Sequence, residues 1–347
     1  MYAIIFGDNA LVNFNIKNKL TGNIQVVAEI DCDEDTRNSI KLALAVKWAV
    51  KNGADLSYTD LSGATLTNFD LKEADFSNTV FKYSDLRNVD LSGAILKGIN
   101  LKSVSLCGAN LSNADLRSSF TEYSFFGGAD LCGADLSNTA LNYSDLRGSN
   151  LYGAKIRNTH IRNSDLTNTI IKDADLCGAD LSNTVLNYSD LSGSDLSGAI
   201  LSSVDLKSVN LSGVNLSGTV LINVNLKGTN LKDVILKDVI LKDVPKIENI
   251  HQKVYEAASK EEALDMDDWH TCETTHCRAG WIITLAGDEG KKLEEKTDPA
   301  NAALLIYIAS DPDYISREGM LNFYTDNETA LADMKRLADL EAAQSNN

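Results

Sequence analysis

From Leu56 to Leu241 a large side chain stands at every fifth position without a slip of register. There are 38 such centres, and only Thr121 is not Leu, Ile or Phe. Two residues before each centre stands Ala, Ser, Thr or Val, with rare exceptions such as Phe69 and Ile99, and the residue just before it is usually Asp or Asn. A period of five matches neither the helix, at about 3.6, nor the strand, at about 2, and calls for a repeat architecture. If five residues form one side of a four-sided coil, the centre and the small residue both point inward and about twenty residues complete a turn. Large centres then stack from coil to coil, and the small residues fill the remaining space, because interiors are packed without voids. The Asp or Asn lies outward near a corner, where it can hydrogen-bond the turn backbone.

Triplets such as Ala54-Asp55-Leu56, Ala74-Asp75-Phe76, Ala134-Asp135-Leu136 and Ala179-Asp180-Leu181 fit A(D/N)LXX, so the array, over half of the chain, resembles the pentapeptide-repeat family. The resemblance implies a right-handed quadrilateral β-helix. At about 4.8 Å per coil, about nine and a half coils make a rod about 45 Å long. Its open ends expose unpaired backbone and need caps. The expected fold class is a mainly β solenoid with a small N-terminal β/α cap and a C-terminal all-α domain.

The flanks lose the period of five. Residues 1–30 alternate apolar and polar, in YAIIF, LVNFNI and IQVVAEI, around turn signals at Gly7-Asp8-Asn9 and Thr21-Gly22-Asn23. A helix over 35–52 follows, with Asp33 to Asp35 at its N-terminus, Ile40, Leu44 and Trp48 on one face and Gly53 past its end. It is the expected N-terminal cap. After Pro245 helical patterns take over in IENIHQKVYEAASKEEAL and CRAGWIITLAGDEGKKLEE; Asp298-Pro299 opens another helix, and Thr325 to Glu328 forms a capping box for the last. The expected domains are 1–53 (strands and capping helix), 54–244 (β-helix) and 245–347 (helical). The segments DCDEDTRNSIKLALAVKWAVKNGADL and WHTCETTHCRAGW are similar to segments of pentapeptide-repeat proteins of bacteria and their phages.

A net charge of −17 argues against direct nucleic-acid binding and against anionic membranes, and favours basic partners or solubility. Six scattered cysteines, Cys32, Cys107, Cys132, Cys177, Cys272 and Cys277, do not resemble a disulfide framework and read as reduced, which places the chain in the cytoplasm, the host's if it is phage-encoded. The opening MYAIIFGDNALVNF lacks the pattern of a signal peptide, and no apolar stretch approaches a membrane span.

His270, Cys272, His276 and Cys277 form the one dense cluster of soft ligands. Zinc takes four ligands, typically as two short-spaced pairs, but no second pair follows, and His276 and Cys277 point apart if helical. Trp269, Cys272, Cys277 and Trp281 packing as core is the preferred reading; a metal site and a reactive Cys277 at a helix N-terminus are the alternatives. No phosphate loop or paired catalytic carboxylates occur, so neither enzyme nor cofactor is expected.

Function in such a solenoid belongs on its outer faces. One face carries an acidic ladder of Asp55, Asp75, Asp115, Asp135, Asp175 and Asp195; the next two carry Asp70, Asp90, Asp130, Asp190 and Asp85, Asp145, Asp165, Asp205. The fourth differs. Between residues 80 and 163 it bears Tyr83, Phe120, Tyr123 and Tyr143 with Lys82, Lys102, His160 and Arg162, and Tyr123 and Tyr143 should stack one coil apart. An exposed aromatic strip of this kind is a binding surface, against the plainer reading that the rings cover coil edges. Farther along, Ile200, Val220 and Ile240 are expected to receive the helical domain or, in a homodimer, a second copy of the chain.

Three functions follow as expectations. The leading one is a non-enzymatic interaction protein that inhibits or decoys a macromolecular partner, a protein, in a phage–bacterium setting. Its most concrete form comes from the resemblance, since some family members mimic duplex DNA and bind bacterial gyrase, a topoisomerase. Charge gives that form little support, because residues 54–244 hold 22 acidic and 16 basic side chains against 27 and 16 in the flanks. The second is a sponge for a small nucleotide, with rings stacking on bases and cations meeting phosphates. The third is a structural spacer presenting the helical domain.

One block, Asp130 to Leu151, recurs 45 residues later as Asp175 to Leu196 with only three differences. A shift of 45 is not a whole number of coils, so Tyr188 lands one face away from its counterpart Tyr143. The block reads as duplicated scaffold, whereas Tyr83 and Tyr143 share a face.

Overall fold

The computed structural model describes residues 11–267, 276–319, 323 and 325–345. The chain forms two compact units, Met1–Asp195 and Leu196–Asn347.

In the first unit, strands β1 (Leu11–Lys17) and β2 (Ile24–Asp31) pair antiparallel. Their alternation buries Ile16, Val26, Ala28 and Ile30. Helix α1 (Asn38–Lys51) packs its small face, Ala43, Ala45, Val46 and Ala49, into the interior. The expected stripe is therefore wrong: Ile40 is exposed and Leu44 and Trp48 are half-buried, because the small face lets the helix approach the hairpin closely. Asp33 to Asp35 also do not cap it. They precede the helix in a turn closed by Thr36 N donating to Asp33 O, and Arg37 stands at the N-cap without a side-chain bond.

The edge of the first coil is closed by the hairpin. Lys19 N donates to Tyr58 O at 2.7 Å and Asp60 N to Lys17 O at 3.1 Å. Gln25 Nε2 donates to the carbonyls of Asp55 and Ser57 at 3.0 and 2.8 Å. Unpaired strand backbone is thus satisfied before solvent or another chain can reach it. The Lys47 ammonium stands 5.8 Å over the ring of Phe69, which sets α1 against the first coil as well.

Within the first unit, residues preceding the centres bridge in parallel to residues twenty positions on, as in Asp75↔Ile95↔Asp115↔Asp135. The centre N–H donates one coil ahead (Leu136 N to Lys155 O, 2.7 Å) and the preceding residue one coil back (Asp135 N to Ala114 O, 2.9 Å). The centres are buried, Thr121 included, except Leu231 and Leu241, which are half-buried. The second residue after each centre turns the corner at positive φ, as at Asn113 (57°) and Gly133 (65°). Asn113 leans along the stack, so that a Cβ on Gly133 would lie 2.6 Å from its Oδ1. The outward Asp and Asn do bond the turn backbone: Asp135 Oδ1 accepts from Ser137 N at 3.0 Å and Asn110 Oδ1 from Ser112 N at 3.1 Å.

Inside, Ser and Thr are more than fillers. Thr139 Oγ1 donates to Leu116 O at 2.8 Å, and Ser144 Oγ to Thr121 O at 2.9 Å, each to the centre of the preceding coil. Buried hydroxyls need such partners, and Ser149 Oγ is buried without one. Ser144→Ala should therefore cost about 1 kcal/mol, while Ser149→Ala should be neutral or stabilising. Urea denaturation of the two variants checks this, and an equal loss in both would contradict it.

In the second unit, β-branched residues at the bridging positions extend the contact between coils into a three-stranded parallel sheet: β3 (Ile200–Ser202), β4 (Val220–Ile222) and β5 (Ile240–Lys242). Helices α2 (Ile250–Ala258), α3 (Arg278–Leu285), α4 (Gly287–Lys296), α5 (Pro299–Ser310), α6 (Tyr314–Glu318) and α7 (Asn327–Ser345) follow. The expected helix from Cys277 onward breaks in two at Gly287, whose φ is +64°. Asp298 caps α5, with Pro299 in its first turn, by accepting from Asn301 N at 2.9 Å. It also accepts from Gly228 N at 3.2 Å, and Asn301 Nδ2 donates to Leu226 O at 3.1 Å, so α5 ties to the last coils. The cap of α7 is Asp326, which accepts from Thr329 N at 2.8 Å; the expected cap, Thr325, lies one residue too early. The helices leave Ile200 and Ile240 exposed, so of the two occupants expected for that ladder, the helical domain or a second copy of the chain, the first does not cover these residues.

Candidate binding surface

Corner geometry places the aromatic strip. Tyr83, Tyr123 and Tyr143 occupy the same corner of their coils, at φ of 60°, 61° and 60°. Most corners of this kind hold Gly, Asn or another small polar residue, which tolerate left-handed backbone, whereas a bulky ring there is an outlier. The rings project into solvent; Tyr83 is 75% exposed. Tyr123 and Tyr143 stack with centroids 5.1 Å apart and planes within 3°, as their one-coil offset requires. Phe120 and Phe125, half-exposed on the two sides of the Tyr123 corner, widen the apolar surface.

The cations of this face differ in their commitments. Lys102 Nζ lies 5.4 Å over the Tyr123 ring. Among the described residues neither Lys82 nor Lys102 forms an ion pair. Arg162, expected as a free cation of the strip, instead holds Asp180 Oδ2 through Nε at 2.6 Å and Nη2 at 2.5 Å. Burial opposes ionisation of Asp180, but the bonds from Arg162 and Ser182 outweigh it and keep its carboxyl below the usual range. His160 is exposed at the end of the strip, with its backbone N–H donated to Thr139 O.

The acidic ladder is largely spent within the coil. Asp55, Asp75, Asp115, Asp135 and Asp175 each accept from the turn backbone two residues on. Arg117 grips Asp115 through both oxygens, and Arg157 lies 3.2 Å from Asp175. The Arg117 bond holds the Asp115 carboxyl below its ordinary range. Lys155 bridges in line with Asp135 and Asp175 and interrupts the ladder. Asp195 bridges with Asp175 at its end.

Of the His/Cys cluster, His270, Cys272 and the neighbouring Trp269 lie outside the described residues. His276 is buried, its ring 4.7 Å edge-on to Trp281. Cys277 is buried and caps α3, with Sγ accepting from Gly280 N at 3.4 Å. Burial pushes its thiol up, which argues against a reactive thiolate. Among the described residues no group of three or more His, Cys, Asp or Glu is placed to hold a metal.

A polar cluster that the sequence reading missed lies inside the helical part. Arg278 is 1% exposed; it donates to Asp333 Oδ2 at 2.7 Å and to the Tyr307 hydroxyl at 3.4 Å, and its Nε has no partner. His251 Nδ1 lies 2.7 Å from that hydroxyl and its Nε2 2.8 Å from Asp311 Oδ2. Because Arg278 can only donate, the Tyr307 hydroxyl is free to donate onward to Nδ1, and Nε2–H to Asp311.

Burial opposes ionisation of Asp311 and Asp333. Bonds from His251 and Arg317 to the first, and from Arg278 and Arg336 to the second, outweigh it and hold both carboxyls below the usual range. Depressed carboxyls contribute stability that is present above their unfolded value, about 3.9, and lost as pH falls through the folded value. The thermal midpoint of the helical part should therefore be flat from about pH 7 to 5 and fall below about pH 4. Asp311→Asn should make that fall shallower; an unchanged slope would remove the assignment.

Four-sided coils, closed by a hairpin in the first unit and tied to helices in the second, define the chain as a β-solenoid with appended helices. It belongs to the pentapeptide repeat family, whose model, "Pentapeptide repeats", matches in 8 copies over residues 54–93, 84–120, 129–168, 160–198 and 199–238. The chain is similar to HetL, a pentapeptide repeat protein involved in heterocyst differentiation regulation from the cyanobacterium Nostoc, with 27% identity over 57% of this chain and 94% of that one and a TM-score of 0.30. It is also similar to QnrB1, a plasmid-mediated fluoroquinolone resistance protein, at 20% identity over 50% and 90% of the two chains, TM-score 0.32. A pentapeptide repeat protein from the Arabidopsis thaliana thylakoid lumen matches at 23% identity over 46% and 88%, TM-score 0.24. No curated protein matches the sequence. No helix among the described residues is long and apolar enough to cross a membrane.

Proposed function

We propose that this is a non-enzymatic interaction protein that binds a protein partner through the aromatic corner formed by Phe120, Tyr123, Phe125 and Tyr143. One observation carries the reading: large rings are kept in solvent at this corner, two of them on left-handed backbone. Strained positions and exposed aromatic clusters persist where contact rewards them, and Tyr and Phe supply contact area at little entropic cost. The experiment is affinity capture from bacterial lysate with the full chain. The Phe120→Ala/Tyr123→Ala variant should lose a protein that the wild type and Tyr152→Ala, an aromatic change on another face, both retain. An identical capture profile for all three would overturn the reading.

The form in which the carboxylates imitate duplex DNA has less behind it. Most ladder residues serve their own turns, and Arg117 and Arg157 pair with two of them. The apolar ladder Ile200, Val220 and Ile240 offers a few side chains, where a stable dimer buries about 800 Å² per partner.

A further inference from the structure

The Tyr corner of the first unit has a gap. Reading along the stack, the corner residues are Tyr83, Ser103, Tyr123 and Tyr143, all at positive φ. Coils are spaced about 4.8 Å apart, so Tyr83 and Tyr123 stand about 9.6 Å apart with only a serine between them. The Tyr123–Tyr143 pair shows what fills one such step, a flat ring at 5.1 Å. One planar group above Ser103 would meet a ring on each side at the spacing this corner already uses.

The rim of the gap decides what kind of planar group. Lys82 and Lys102 follow their centres at equivalent positions of adjacent coils, and Glu122 holds the same position one coil further on. The two like charges on one face repel. The arginines of these coils pair with carboxylates, as Arg87 does with Asp85, Arg117 with Asp115 and Arg162 with Asp180, whereas among the described residues Lys97, Lys155 and Lys172 form no ion pair. Among the described residues these two lysines have no such partner, and Lys102 Nζ rests on the Tyr123 ring instead. A flat cation would be repelled here, whereas a ring carrying an anion would relieve the repulsion.

We propose that the gap between Tyr83 and Tyr123 is a binding slot for a nucleoside monophosphate, its base stacked over Ser103 and its phosphate held by Lys82 and Lys102. Base–aromatic stacking is tolerant of base identity, so the slot selects the class of ligand rather than one base. Lys102 moves off the Tyr123 face as the base enters. The slot shares Tyr123 with the proposed partner surface and uses neither Phe120, Phe125 nor Tyr143.

Adenosine monophosphate, adenosine and inorganic phosphate are titrated separately into the full chain and followed by calorimetry. The monophosphate should bind with submillimolar Kd, adenosine about tenfold more weakly and phosphate alone undetectably. Lys82→Ser/Lys102→Ser should bring the monophosphate down to the level of adenosine. Ser103→Tyr fills the slot at a corner that takes tyrosine three times in this stack, and should abolish binding of both; Tyr83→Asn removes one wall without filling the slot and should weaken both about tenfold. No heat from the monophosphate at about 5 mM would overturn the slot, as would unchanged affinity in Ser103→Tyr or Tyr83→Asn. Equal binding of phosphate alone would reduce it to a lysine pair.

Discussion

Arg278→Ala should lower the stability of the helical part by about 3 kcal/mol. The guanidinium is almost wholly buried, and its removal leaves a large void, Asp333 with Arg336 alone and a Tyr307 hydroxyl without its donor. Asp333 is about a third exposed and can regain water, which places the loss at the lower end for a broken buried pair. Arg278→Met should cost less, because it keeps volume and removes the unpartnered Nε; adding Asp333→Leu should recover more. Trp281 on α3 donates its indole N–H to Ala263 O at 2.7 Å and gives a local fluorescence probe of denaturation. A loss under about 1 kcal/mol for Arg278→Ala would show that the network is peripheral to stability.

The second large effect separates stability from function at the tyrosine corner. Left-handed backbone costs a bulky residue about 1 kcal/mol or more, and Asn tolerates it far better. Tyr83 has no ring neighbour in the next coil, so Tyr83→Asn should stabilise the first unit by about 1 kcal/mol. Tyr143→Asn gains the same relief but loses the stack on Tyr123, worth about 0.5–1.5 kcal/mol, and should come out near neutral. Partner affinity should nevertheless fall about tenfold or more in Tyr143→Asn. Rings that cost stability and carry binding mark a functional surface, whereas rings that merely cover coil edges would destabilise the coil when removed. Paired melting and binding measurements on the two variants decide between these cases.

The coil was legible because each five residues restate the same core, so one register error would have been visible. The Asp and Asn turn bonds followed from that register, and so did the Tyr123–Tyr143 stack. The N-terminal cap was less legible: Lys17 to Lys19 close the first coil through backbone atoms, which leave no side-chain signature. For α1, the eye follows large residues such as Ile40 and Trp48, while close approach to a hairpin selects the alanines. The pairing of Arg162 with Asp180 could have been found, since Arg157 and Asp175 repeat the same offset of 18 residues along the coil. Arg278, Tyr307 and His251 could not: they are brought together by packing of α2, α3 and α5, and only an arginine and a tyrosine inside apolar helices hinted at it.

The corner around Phe120 and Tyr123 is the proposed contact surface. The most direct measurement places a photo-crosslinking phenylalanine analogue at position 120 of the full chain and, separately, at position 152 on another face, followed by irradiation in bacterial cells. A discrete crosslinked protein at position 120 that is absent at position 152 is the predicted result. The same products at both positions, or a product at 152 alone, would contradict it.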